Sequence, residues 1–383
     1  MDLNYLKAFI NQTALTNNCN LLKNLATGKK ICVAIKANAY GHTIKIVLPV
    51  MHKVGIDFLA VAAVEEAVEL RQEGWNKPIL ILGSEFSIYS ESEQYEIADW
   101  IVKNDVRLTI TRKKDADVLA AAAERHNKPC WIHLAFDSGM SRMGRNEEDL
   151  LELISDLQNL PRIEMEGLYT HFATADEADK TFAMEQLAHF AAMLEKVKNK
   201  GINIPIIHAA NSGATVDLPE AHFNMVRPGI SVYGYHAGSE MHNKPDLQPA
   251  LKLVSYLTVV KKIPAGSFVG YGRTFQTTRD SVIGLVPIGY ADGFPRELSN
   301  RGKMIVANVV VPIIGRISMD QTIIDLTELA SRGITPQPGD EVIIYDNNRE
   351  SPNSVENTAN LLGTISYCLT TALGRRVKRI AVQ

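Results

Sequence analysis

The chain has 383 residues, 46% of them hydrophobic and 22% charged, with a formal net charge of −3. That balance is ordinary for a globular protein of one large or two medium domains. It leaves no basic footprint for nucleic acid or an anionic membrane surface, and no apolar run approaches the length of a membrane span.

The opening residues, "MDLNYLKAFINQ", lack the basic stretch and apolar core of a secretion signal, so a cytoplasmic protein is expected. Cys19, Cys32, Cys130 and Cys368 are scattered without a CxxC pair. This argues against a zinc site and a disulfide framework and suits a reducing compartment. Over about the first 230 residues, short apolar runs alternate with helical patterns. The runs are "ICVAIKA" (31–37), "DFLAVAA" (57–63), "PILILG" (78–83), "RLTIT" (107–111), "PCWIHLAF" (129–136), "IEMEGLYTHF" (163–172), "IIHAAN" (206–211) and "FNMVRPG" (223–229). Between them lie amphipathic stretches such as "KKDADVLAAAAERH", "NEEDLLELISDLQ" and "FAMEQLAHFAAMLEKVKNKG", the last closing on the glycine that helix ends prefer. Eight βα units predict an α/β fold with an N-terminal (β/α)₈ TIM-like barrel over residues 1–236, although a doubly wound open sheet gives much the same pattern.

After "VYGYH" (232–236) the texture changes. A polar, proline-containing linker, "AGSEMHNKPDLQP" (237–249), leads into closely spaced strands: "LKLVSYLTVVKKI", "SVIGLVPIGY", "KMIVANVVVPIIGRISM" and "PQPGDEVIIYD". One helical piece, "SVENTANLLGTISYCLTTALG", precedes a last strand, "VKRIAV". Residues 237–383 therefore read as a mainly β C-terminal domain.

"VAIKANAYGH" (33–42) places a lysine inside an apolar run, where a charged amine needs compensation. Two readings stand: an edge strand with Lys36 in water, or a barrel-mouth lysine held neutral or tied up as a Schiff base. Barrel enzymes build their sites at the C-terminal ends of the strands. Lys36 closes the first predicted strand, Arg142 follows the fifth, and His171 ends the sixth. His208, Asn211 and Ser212 end the seventh, and Arg227 with Gly229 ends the eighth. Singly, each is an ordinary surface charge or core histidine; together they converge on one mouth. Ser212, Gly213, Gly229 and Ile230 would offer hydroxyl and backbone N–H donors to a phosphate. A lysine opposite such a cradle suits pyridoxal phosphate (PLP), which condenses with an amine at one end and is anchored by its phosphate at the other.

The motifs "VAIKANAYGH", "THFATADE", "HAANS", "VRPGISVYG", "VGYGRTF", "IGYADGF", "GRISMDQ", "PGDEV" and "TISY" occur in an order that resembles the alanine racemase family along nearly the whole chain. The resemblance implies a PLP-binding barrel followed by a β domain, assembled as a head-to-tail homodimer with shared active sites. It further implies an isomerase that interconverts L- and D-alanine, supplying D-alanine for peptidoglycan. Lys36 would carry PLP and act as the base for D-alanine, with Tyr271 its counterpart for L-alanine. Tyr40, Ser212, Gly229, Ile230 and Tyr367 would hold the phosphate and Arg227 would face the pyridine nitrogen, with His171 and Asn211 also at the cofactor. A phenol is a poor base unless neighbours favour its anion, and the resemblance links Tyr271 through His171 to Arg227 and His208. Arg142, Met319, Asp320 and Tyr290 would meet the substrate, Met319 through its backbone N–H and Tyr290 as an entry gate.

Three positions depart from the family pattern. Thr43 stands where glycine is common, Ser318 where cysteine is frequent, and Ala135 where many members carry a carbamylated lysine that orients the arginine, here Arg142. The amino-terminal segment also matches the family's first strand poorly. Competing readings are a racemase for another small amino acid such as serine, a PLP decarboxylase, and a non-enzymatic PLP-binding barrel. The last lacks both a β domain and a tyrosine for the opposite face.

Overall fold

Each of the eight apolar runs contributes a parallel strand to one sheet in the computed structural model, which describes residues 5–383. The reading of the amino terminus as leader-free falls partly on residues 1–4, outside the described residues. A preceding strand, β1 (Lys7–Asn11), belongs elsewhere. The barrel strands are β2 (Lys30–Ala34), β3 (Phe58–Val61), β4 (Ile79–Ile81), β5 (Val106–Ile110), β6 (Cys130–Ala135), β7 (Ile163–Tyr169), β8 (Ile206–His208) and β9 (Met225–Val226). They pair in the order β8-β7-β6-β5-β4-β3-β2-β9. Side-chain and loop bonds bring β8 against β9: Ile207 N donates to Asn224 Oδ1 at 2.8 Å, and Arg227 N donates to Ala210 O at 2.7 Å. This is a (β/α)₈ barrel. β3 and β5 are buried along their whole length, as parallel strands covered on both faces must be.

Several observed strands are shorter than their apolar runs. "IEMEGLYTHF" leaves the sheet after Tyr169, "IIHAAN" after His208 and "ICVAIKA" after Ala34. The lost residues lie at the C-terminal mouth, where the chain bends into the loops that carry His171, Asn211 and Lys36. The intervening helices follow their sequence signals. Lys113–His126 ends on Asn127 in the left-handed region (φ 52°). Glu147–Leu157 starts where Asn146 Oδ1 accepts from Asp149 N at 2.9 Å.

The C-terminal region is mainly β. Its largest sheet has six strands in the order 309–312, 303–306, 341–345, 251–256, β1 and 378–382. β1 runs antiparallel to Leu251–Tyr256 and parallel to Lys378–Val382. The poorly matching amino-terminal segment thus ties the start of the chain to the second half. The single helical piece expected over "SVENTANLLGTISYCLTTALG" is two helices, Val355–Leu362 and Ser366–Thr371. Gly363 breaks it by adopting φ 67°, a conformation nearly free for glycine. Among the described residues no helix is long and apolar enough to cross a membrane.

Candidate active site

The chain does not continue as a strand through Lys36. Ala37, Asn38, Ala39 and Tyr40 take φ values of 51°, 51°, 56° and 52°, one turn of left-handed helix built without glycine. Such a conformation costs about 1–2 kcal/mol per residue, on the order of 4–8 kcal/mol for the turn. Local bonds offset it: Ala39 N donates to Ile35 O, Gly41 N to Ala37 O and Thr43 N to Asn38 O. Glu66 clamps the entry, its Oε1 accepting from Ala37 N at 2.6 Å and its Oε2 from Ala62 N at 2.8 Å. Gly41 lets the turn dock, because a Cβ there would lie 1.9 Å from the Thr370 carbonyl oxygen. Thr43, at the departure from glycine, sits at φ 68°. Strain of this kind collects where a fold must aim a functional side chain. Here it turns half-buried Lys36 toward a cavity of about 570 Å³. Burial and the Arg142 guanidinium lower the Lys36 pKa, against the opposing pull of Glu66.

The same turn carries Tyr40, which also lines that cavity. Its ring stacks on Tyr233 at 5.0 Å and lies 5.8 Å from Tyr367. Burial raises the Tyr40 phenol to about 12, with Glu66 adding to the effect, and it raises that of Tyr367 further. Both hydroxyls stay protonated and able to donate. Ser212 opens a short helix after Asn211, whose side chain caps it by accepting from Ala214 N at 3.0 Å. Gly229 N donates to Ser212 Oγ at 2.8 Å. The Ile230 N–H has no partner among the described residues. A Cβ on Gly229 would come within 2.6 Å of the Tyr40 hydroxyl, so the backbone is bare at this point.

Arg227 closes the cavity floor. It is 5% exposed and, among the described residues, pairs with no carboxylate. Nη1 donates to His208 Nδ1 at 2.8 Å, and Nη2 faces the Thr170 and Ala209 carbonyls and His171 Nδ1. Its Nε–H has no partner among the described residues. Tyr169 lies under the guanidinium, 5.0 Å from ring centroid to Cζ. Burial and the surrounding cations push the His171 pKa down to about 3, which keeps that imidazole neutral. Arg142 and Ala135 also line the cavity, and Arg142 makes no ion pair among the described residues.

Ten predicted residues therefore share one cavity: Lys36, Tyr40, Arg142, His171, Asn211, Ser212, Arg227, Gly229, Ile230 and Tyr367. His208 lies behind Arg227. Tyr271, Tyr290, Met319 and Asp320 do not line the cavity within this chain. They sit on the second half, with Tyr271 72% and Met319 53% exposed. The loops bearing Tyr290 and Met319 are zipped together, Tyr290 N donating to Ser318 O and Ala291 N to Met319 O. Asp320 pairs with Arg376 at 2.7 Å, and Arg376 also holds Asp292. The Met319 N–H has no partner among the described residues.

The sequence matches the family profile of the alanine racemase N-terminal domain over residues 10–237 and that of the C-terminal domain over residues 250–381. It is 40% identical to alanine racemase 2 of Caldanaerobacter subterraneus subsp. tengcongensis, over 97% of this chain and 94% of that one. The chain belongs to the alanine racemase family. Among solved structures it is similar to the alanine racemase of Clostridium difficile, with TM-score 0.90, 35% identity and coverage of 100% and 97% of the two chains. It is also similar to the alanine racemase of Bartonella henselae with covalently bound pyridoxal phosphate, with TM-score 0.85, 28% identity and 99% of each chain covered. As a family member the protein is an isomerase.

Sequence reasoning passed over other residues of this racemase fold. Glu66, which holds the Lys36 turn, lies in a helix that reads as an ordinary solvated face. Tyr169, beneath Arg227, reads as a strand aromatic. His133 and Glu166 are polar residues inside apolar runs; that interruption was the available signal, and it went unused.

Proposed function

We propose that the enzyme interconverts L- and D-alanine with PLP held in the barrel-mouth cavity and carried on Lys36. One observation bears most of the weight: a half-buried lysine of lowered pKa shares one cavity with a bare-backbone cradle. The cavity size lies within the range of cofactor sites. The cradle's Gly229 position would be filled by any Cβ. Arg227 presents a free Nε–H and no acid, which suits an acceptor nitrogen. The residues present fit the group.

When bound, PLP makes the α-hydrogen of an attached amino acid acidic enough to remove. Lys36, with its amine biased toward the neutral form, would hold the cofactor, and its free amine could accept a proton. Tyr40, Ser212, Ile230 and Tyr367 would supply hydroxyl and backbone donors to the phosphate, with Gly229 giving it room. Asn211 caps the helix that presents Ser212. Arg227 cannot give up its protons in a protein, so it would meet the ring nitrogen as a hydrogen-bond donor and would not protonate it. Arg142 offers its charge to the substrate carboxylate.

Racemisation needs a proton-transfer group on each face, and this cavity supplies Lys36 on one. Tyr271 stands exposed on the second half, where it shares a surface hollow with Ser318 and Gln321, the residues that flank Met319 and Asp320. In the proposed head-to-tail homodimer Tyr271, Tyr290, Met319 and Asp320 complete the partner's cavity, Tyr271 serving as the second base and His171 as its link toward Arg227. The division into domains falls at the 237–249 linker, with β1 as an amino-terminal strand shared with the second unit. The product serves peptidoglycan synthesis in the cytoplasm.

The test is a purified protein with visible cofactor absorption, reduced with borohydride and mapped by mass spectrometry, then followed for solvent deuterium entry at the alanine α-carbon. The reading expects cofactor mass on Lys36 and exchange from both enantiomers. A Lys36→Ala variant with unaltered cofactor absorption would remove its basis.

A further inference from the structure

A line of polar side chains, all buried except the half-buried Glu166, crosses the barrel interior from the base of β5 to the mouth. Arg107 (β5) donates through Nε and Nη2 to Glu166 (β7) at 2.8 and 3.2 Å. Glu166 Oε2 lies 3.2 Å from His133 Nε2 (β6), His133 Nδ1 lies 2.9 Å from His208 Nε2 (β8), and His208 Nδ1 lies 2.8 Å from Arg227 Nη1. Each of these five side chains is bonded to its neighbour in the line, and the Arg227 Nε–H is left facing the cavity.

Local geometry builds this line deliberately. The β6–β7 register slips between Ile132 and His133, so that Ile132 faces Met165 but His133 faces Gly167. Glu166 is the extra residue, a bulge of the kind that re-aims a side chain. Gly167 makes room for the imidazole, since a Cβ there would fall 2.3 Å from His133 Nδ1.

The proton positions follow from chemistry alone. Guanidinium has no acceptor, so Arg227 must donate and His208 Nδ1 must be bare. His208 then carries its proton on Nε2 and donates to a bare His133 Nδ1. His133 in turn donates from Nε2 to the carboxylate, which accepts again from Arg107. Every bond points the same way. Burial lowers the pKa values of both histidines, and a neutral imidazole is what each link requires. Burial would raise the Glu166 carboxyl, but hydrogen bonds from His133 and Arg107 outweigh it and bring it down to about 2.

We propose that Glu166 and His133 are positioning residues that act on Arg227 through His208. The carboxylate fixes the tautomer of both imidazoles, so His208 always offers Arg227 an acceptor and holds the guanidinium aimed at the cavity. This rests on the reading that Arg227 faces the cofactor ring. Without Glu166, His133 can carry its proton on Nδ1, His208 must then accept on Nε2, and its Nδ1–H would confront the Arg227 donor.

The experiment is histidine ¹⁵N NMR on the holoenzyme at neutral pH, in wild type and Glu166→Gln, with alanine racemisation measured alongside. Wild type should show His133 and His208 protonated on Nε2 only. Glu166→Gln should populate the other tautomer of His208 and lower kcat about tenfold, with KM within about twofold, as loss of a positioning contact acts on the reacting state. A wild-type His208 proton on Nδ1, or on both nitrogens, would overturn the relay; that result stands even if Glu166→Gln fails to fold. A folded Glu166→Gln in which either the tautomers or kcat stay unchanged would also overturn it. Failure of wild type to racemise alanine would count against the functional reading and leave the tautomer result to judge the relay.

Discussion

The cradle at Gly229 can be tested by adding one methyl group. In Gly229→Ala the new Cβ would stand 2.6 Å from the Tyr40 hydroxyl and 3.1 Å from its ring. The hydroxyl must retreat by about 0.8 Å, and the ring with it, to reach the 3.4 Å of ordinary contact. Tyr233 blocks it on one side by stacking at 5.0 Å. In the free protein the ring can swing toward the cavity; with a phosphate seated there that exit is closed. The cost therefore falls on the cofactor-bound state. Overpacking of a fitted site costs about 1–3 kcal/mol, which corresponds to roughly 5–150-fold weaker binding. Stripped protein titrated with PLP, followed by visible absorption, measures this directly, and thermal unfolding of the stripped form gives the control. Affinity within about twofold of wild type, or a large fall in the unfolding temperature of the stripped form, would refute the reasoning.

Mixing inactive Lys36→Ala and Tyr271→Ala proteins should restore roughly a quarter of wild-type activity if each site is shared across a two-fold dimer; no recovery after proven subunit exchange would mean both residues serve one chain's site. The unfolding temperature should drop as pH is lowered from 7 to 4, read by scanning calorimetry. Burial holds His42 at about 4 and His171 at about 3, while the unfolded chain takes up those protons near pH 6.5, so stability is complete above that value and lost as pH falls through the folded ones. Glu166 extends the loss to lower pH, between its ordinary 4.5 and about 2; an unfolding temperature flat down to pH 4.5 would contradict the assignment. Because Ala135 supplies no carbamylated lysine and Arg142 makes no ion pair among the described residues, the KM for alanine should respond to chloride at constant ionic strength and ignore bicarbonate. Ala135→Lys should reverse that pattern, and indifference of wild type to chloride would dismiss an anion beside Arg142.

The barrel was legible because its signal is periodic and repeated. Eight apolar runs, each too short for a helix and each followed by an amphipathic stretch, leave few architectures open. The cavity residues were legible for a related reason: a polar residue at the C-terminal end of an apolar run has only the mouth to point into. Ser212, Arg227 and His171 follow that logic. The runs overestimated the strands because hydrophobicity reports burial, and the residues just past a barrel strand are buried too.

What stayed hidden depends on backbone conformation and on partners far apart in the chain. Nothing in "KANAY" announces four consecutive positive φ angles, since only Asn38 among those residues favours them. The turn is imposed from outside, by Glu66 holding Ala37 N and by the close approach that Gly41 permits at Thr370. The relay behind Arg227 is hidden more deeply. Its five members come from four strands and the residue just past a fifth, and its key residue reaches the interior only because β7 carries one residue more than β6 can match. Strand alternation alone would send Glu166 and Gly167 to opposite faces. The bulge cancels that alternation at one position, placing a carboxylate in a barrel interior where the residue pattern predicts an apolar side chain.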